Sequence, residues 1–136
     1  MKTLIKTITI KEALELRGFT EAFKGHKSVF GFACLQFWKQ ICLDLQNYEM
    51  QLHYKKIELA LKGDKGEVLE NERGGFLADE KGKIALQEWQ NNKVKELIEV
   101  TCYIVEDFLL IRDNLEAIDL VNGILIDVNI NDLINS

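Results

Sequence analysis

No proline occurs anywhere in the 136 residues, so glycine, asparagine and aspartate must supply the turns and helix stops. Histidine is nearly missing too, with His26 and His53 alone. Cysteine is sparse and odd in number: Cys34, Cys42 and Cys102. An odd count without paired spacing argues against a disulfide framework. On one helix, Cys34 and Cys42 would lie two turns apart, roughly 12 Å along the axis, beyond the span of about 7 Å that a disulfide bridges. Free thiols in a reducing compartment are the expectation. No run approaches the roughly 18 apolar residues of a membrane span. The start, Met1 to Lys6, has charge but neither a long apolar stretch nor a small-residue cleavage site, which argues against a secretory signal. The chain is expected to stay where it is made, or to be packaged from there.

What is present suits one folded domain, 1–136. A hydrophobic fraction of 47% against 29% charge is too apolar for a disordered chain. The net charge of −5 is unevenly spread. Up to Lys62 there are ten Lys/Arg and six Asp/Glu, and from Gly63 onward seven and sixteen. An acidic total disfavours a nucleic-acid binder, which carries a basic stripe. The asymmetry fits either attraction between halves of one fold or head-to-tail association of copies.

Along the chain, no internal repeat and no low-complexity linker is evident. Leu4 and Ile8 alternate with polar neighbours, so a short strand is expected over Thr3–Thr9, although Ile5 breaks the pattern. Thr9 and Glu12 have capping-box spacing, ahead of a helix carrying Ile10, Ala13, Leu14, Phe19 and Phe23. Gly18 weakens that helix and Gly25 ends it, closing a first segment at 1–25. A long helix follows over 28–62. Phe30, Cys34, Phe37, Ile41, Leu45, Tyr48 and Leu52 form its apolar stripe, broadened by Trp38, Cys42 and Leu43. At roughly 50 Å it exceeds a compact domain of this size, so its far end must project or be covered.

Residues 66–86 read as a β-hairpin around Gly74-Gly75, with a second turn at Asp79–Gly82. A lone two-stranded ribbon is marginal in water, so it should cap the long helix or pair with another copy. The last segment, 87–136, begins with a helix to about Glu99 that bears Trp89, Val94, Leu97 and Ile98. Val100–Val105 favours a strand by composition, though helical spacing continues through it. Asp113 would cap a short helix with Leu115 and Ile118, and 124–130 would form a final strand. The fold class is therefore α+β, predominantly α: a helical hairpin with one long amphipathic helix and a small β-hairpin or sheet.

Reactive constellations are few. Glu49 and His53 are four apart, a metal-ligating spacing on a helix, but no second carboxylate–histidine pair completes a site. Gly25-His26-Lys27-Ser28 could offer backbone N–H groups to an anion, yet such segments more often cap their own helix. Ser28 beside His26 lacks a nucleophile elbow, and no cysteine sits in a catalytic context. No Walker or dinucleotide glycine pattern occurs. Asp79-Glu80 and Glu106-Asp107 read as solvated surface. The expectation is no catalytic residue, no cofactor and no metal. Trp38, Trp89 and Phe76 are the candidate interface residues, because aromatics concentrate in interface cores as well as in ordinary cores.

Gly25 to Tyr54, with its glycine before a long helix and its acidic, tyrosine-containing patch Asp44–Glu49, resembles a family of small, uncharacterised proteins of tailed phages and prophages. The resemblance continues through the ribbon Gly63–Gly82, the helix closing on Lys95–Val100, and Asn114–Ile118. It is one of layout and carries no specific motif. The chain departs from it in lacking proline in its C-terminal segment and in the modest charge of its long helix. The resemblance implies a helical hairpin with a small β element, and a role beside phage structural or assembly proteins with no reaction attached. The expected protein is thus a non-enzymatic interaction protein of the bacterial cytoplasm or phage particle, self-associating as a homo-oligomer or joining a larger assembly. The alternative is a small regulator or inhibitor that binds a host protein through its acidic C-terminal half.

Overall fold

The computed structural model describes residues 2–105 and 121–126. Thr9 ends one element and starts the next. Strand β1 (Lys2–Thr9) runs straight into helix α1 (Ile10–Phe23), with Thr9 as the N-cap. Its hydroxyl accepts the Glu12 N–H at 3.1 Å while the Glu12 carboxylate accepts the Thr9 N–H, the reciprocal box expected from the spacing. Helix α2 is Val29–Leu59, α3 is Glu80–Lys93, and β2 is Leu97–Ile104. Among the described residues the architecture is α+β and mostly helical, with one long helix and a two-stranded antiparallel sheet.

The chain divides into two compact units. The first holds the described residues up to Leu45 and from Leu97 onward; the second is Gln46–Glu96. In the first, β1 and β2 pair in continuous register from Lys2↔Ile104 to Thr9↔Leu97. Val100, Cys102 and Ile104 alternate inward along β2, so the β-branched run is a strand. The core adds Ile8, Ala13 and Leu16 to Phe30, Phe37, Ile41 and Leu45 of α2, all buried. Thr20 is buried mid-helix because its hydroxyl donates to the Leu16 carbonyl at 2.8 Å. Phe19, Phe23 and Phe30 close that end as an aromatic cluster, with ring centroids 4.9 to 6.2 Å apart.

The second unit joins the later half of α2, a turn-rich ribbon and α3; the β-hairpin expected over 66–86 does not form as paired strands, the ribbon making the isolated bridges Lys62↔Val68 and Glu70↔Phe76 instead. The ribbon contains an internal repeat, against the expectation of none. Leu61–Val68, Leu69–Phe76 and Leu77–Ile84 each read Leu, variable, Gly/Asn/Asp, acid, base, Gly, variable, Val/Phe/Ile. The three leucines close a ring of main-chain bonds. Leu69 N–H donates to the Leu61 carbonyl (2.9 Å), Leu77 N–H to Leu69 (3.0 Å), and Leu61 N–H to Leu77 (2.8 Å). The first two repeats make the same turn. Lys62↔Val68 and Glu70↔Phe76 are equivalent bridges, and Gly66 and Gly74 both have φ of 79°. That left-handed conformation is why glycine recurs there. The repeat escapes a reading for identical residues because, apart from its leucine and its glycine, only residue class and charge sign recur.

The third repeat departs from the other two. Asp79 turns its carboxylate onto the Gly82 N–H at 2.7 Å and starts α3, where the second turn of the hairpin was expected. The helix therefore begins earlier than Gln87 and ends at Lys93, so Leu97 and Ile98 belong to β2 rather than to a helical face. Leu43 is also corrected: it lies in solvent rather than on the buried stripe of α2. One face of the later part of α2 is covered, while Met50 and Tyr54 on it stay in solvent. Tyr48 stacks on Trp89, and the Gly82 backbone lies against the Leu59 carbonyl. Lys62 donates to the carbonyls of Ile57, in the last turn of α2, and of Ala60, just beyond it. The helix expected at Asp113 lies outside the described residues. Of the strand expected over 124–130, residues 124–126 are described and begin as a turn: the Ile124 and Leu125 N–H groups both donate to the Val121 carbonyl, and Ile126 then makes an isolated parallel bridge to Val105.

Candidate functional site

Two of the three cysteine thiols are shut away. Cys34 and Cys102 are buried; burial pushes the Cys34 thiol up to about 12. Cys102 rises to about 11 by the same cause, with the Lys6 ammonium pulling the other way. A thiol held neutral is a poor nucleophile. All three cysteines are free, and Cys42 is half-buried. Among the described residues no group of three or more His, Cys, Asp or Glu side chains could hold a metal ion. The His53 ring packs 5.6 Å from Phe76. Ser28 caps α2, its hydroxyl accepting the Gly31 N–H at 2.9 Å. Gly31 in turn lies so close to the His26 carbonyl that a Cβ has no room there. Among the described residues, no helix is long and apolar enough to cross a membrane.

The three candidate interface aromatics fall into different surroundings. Trp38, in the first unit, is half-buried beneath the Lys24 ammonium, 3.5 Å from its ring centroid. Its indole N–H is buried without a hydrogen-bond partner. Trp89 and Phe76 belong to the second unit, both half-buried. Trp89 lies nearly parallel to Tyr48, at 9° and 6.3 Å between centroids. Phe76 lines a cavity of about 210 Å³ with Lys56, Leu59, Ala78 and Leu86.

The apolar side chains most open to solvent are others. In the first unit, Ile5 and Leu43 are each 67% exposed and Leu97 66%, with Val29 and Phe32 also exposed. At 100° per residue, Val29, Phe32 and Leu43 fall within about 60° of one another on α2, on the side away from Phe37 and Ile41. Spacing alone contained that second stripe, but the stronger core stripe masked it. In the second unit, Met50 and Tyr54 are exposed one turn apart.

The sheet itself is asymmetric at its edges. Gln40 of α2 presents its side-chain amide to β2: its Nε2 donates to the Thr101 carbonyl (2.9 Å) and its Oε1 accepts the Thr101 N–H (2.8 Å). A side-chain amide thus stands in for a neighbouring strand. Further along, the Val105 N–H donates to the Leu125 carbonyl at 3.0 Å. Since both main-chain groups of Thr101 point away from β1, the Ile5↔Thr101 pair is non-hydrogen-bonded. By the alternation of an antiparallel ladder, the N–H and C=O groups of Thr3, Ile5 and Thr7 point outward from β1. No described residue pairs with that edge.

No protein-family model, curated protein or solved structure matches the chain.

Proposed function

We propose that the chain is a non-enzymatic interaction protein of phage or prophage origin, working by self-association or by docking onto a larger protein assembly. Its setting on this reading is the bacterial cytoplasm or the phage particle. The supporting observation is the set of large apolar side chains left in solvent in the first unit: Ile5, Val29, Phe32, Leu43 and Leu97. So many large apolar side chains left in water are a cost that a partner covering them would relieve. Light scattering on a size-exclusion column, over several concentrations at low and moderate salt, tests the reading. A defined oligomer supports self-association.

A second reading rests on the charge asymmetry: a small regulator or inhibitor that engages a host protein through the acidic C-terminal half. A clean monomer at every concentration, together with a single co-purifying host protein released by salt, favours that reading over self-association.

A further inference from the structure

We infer that the outer edge of β1 is a dimerisation edge: a second copy of this chain adds antiparallel, β1 to β1, about a two-fold axis at Ile5. The result is a four-stranded sheet in the order β2, β1, β1, β2. The inference rests on the self-association reading and specifies its surface and register.

The two edges of the sheet differ in kind. That of β2 is engaged at Thr101 by the Gln40 amide and, beyond the strand, at Val105 by the Leu125 carbonyl. Among the described residues, that of β1 carries no such device. The ladder to β2 is continuous through all its pairs, so no bulge twists β1 away, and no proline interrupts it. Ile5, at the centre of the edge, is two-thirds exposed. Two paired strands alone are marginal, and further strands supply what they lack.

The residues of β1 match themselves in one register. With Ile5 opposite Ile5 of the second copy, Thr3 falls opposite Thr7 and Leu4 opposite Lys6. Thr3, Ile5 and Thr7 are the residues whose main-chain groups point outward, so each outward N–H and C=O meets a partner. The Thr3–Thr7 pairs flank Ile5 on one face and suit cross-strand hydrogen bonding. Sliding the axis to Lys6 sets Lys6 against Lys6 of the second copy, which like-charge repulsion disfavours. Moving it to Thr7 runs the pairing into Thr9, where the chain turns into α1. Charge and strand length together select the Ile5 axis.

The test combines light scattering with amide hydrogen exchange on the whole chain over a concentration series. The expected mass is twice 15.7 kDa at high concentration. The Thr3, Ile5 and Thr7 amides should gain protection as concentration rises, while those of Leu4 and Lys6, which face β2, stay protected throughout. Ile5→Pro removes an outward N–H that the β1–β2 ladder does not use, and Ile5→Lys sets like charges across the axis. Both should be monomeric with the Leu4 and Lys6 amides still protected, which establishes that β1 remains folded onto β2. Leu97→Lys, an equally exposed apolar site away from the edge, should remain dimeric. A wild-type chain that is monomeric at every concentration overturns the inference together with self-association. A wild-type dimer unchanged by Ile5→Pro and Ile5→Lys overturns the edge alone and leaves self-association to another surface.

Discussion

Gln40 satisfies both main-chain groups of Thr101 in a part-buried setting. Gln40→Leu keeps much of the volume and removes both partners. It should cost about 1–3 kcal/mol, read as a lower denaturant midpoint with unchanged slope. The thiols give a second check at this scale. A disulfide-exchange reagent should modify Cys42 first, with Cys34 and Cys102 reacting only as the chain unfolds, since they are buried. Cys42→Ser should then abolish the fast phase. Burial also ties these thiols to alkaline stability. Their folded values, about 12 and about 11, lie above the ordinary 9.0, so the folded state holds protons that the unfolded state releases. Their contribution is full below pH 9 and is lost as pH rises through the window to about 11–12. Denaturant titrations above pH 9 should show that decline, shallower in Cys34→Ala than in the wild type.

At the scale of elements, the ribbon offers the sharpest comparison. Gly66 and Gly74 hold equivalent places with the same positive φ and open space around them. Gly66→Ala and Gly74→Ala should therefore cost similar amounts, about 1–2 kcal/mol each, from backbone strain alone. Gly82 occupies the same repeat position but is helical, and a Cβ there meets the Leu59 carbonyl at 3.0 Å. Its alanine variant should fail through crowding, seen as loosened packing of α3 rather than as a strained turn. Thermal unfolding of the three variants separates the two causes. The strand β1, the Thr9 box and most of the core of α2 were legible, because each is written in spacing between near neighbours. The start of α3 was not. The same Asp-Glu-Lys-Gly chemistry reads as a turn until its aspartate is seen bonded to Gly82 and the following residues continue as helix. Trp38 and Trp89 were marked for their size, but their exposure depends on Lys24 and Tyr48, which only folding brings to them.

For the molecule as a whole, two modes of self-association predict different responses to salt. Pairing of β1 edges is held by main-chain hydrogen bonds, with no ion pair across the axis. Head-to-tail association of the basic and acidic halves depends on long-range charge. Raising ionic strength from low to physiological levels shortens the screening length to about 8 Å. The dimer mass seen by light scattering should therefore stay constant across that range. Dissociation by salt would instead favour charge-driven association.

Strand β1, the capping of α1 and the buried stripe of the long helix were determined by sequence, since helical and strand periodicities and near-neighbour hydrogen bonds are local. Tertiary structure decided which apolar residues remain in solvent, as at Leu43, Ile5 and Leu97. It also decided that a glutamine 61 positions away would close one edge of the sheet, and that three leucines eight residues apart would join in a ring. Each of those outcomes turns on where distant segments lie in space, and an unpaired edge differs from a paired one only through a neighbour that the local sequence does not contain.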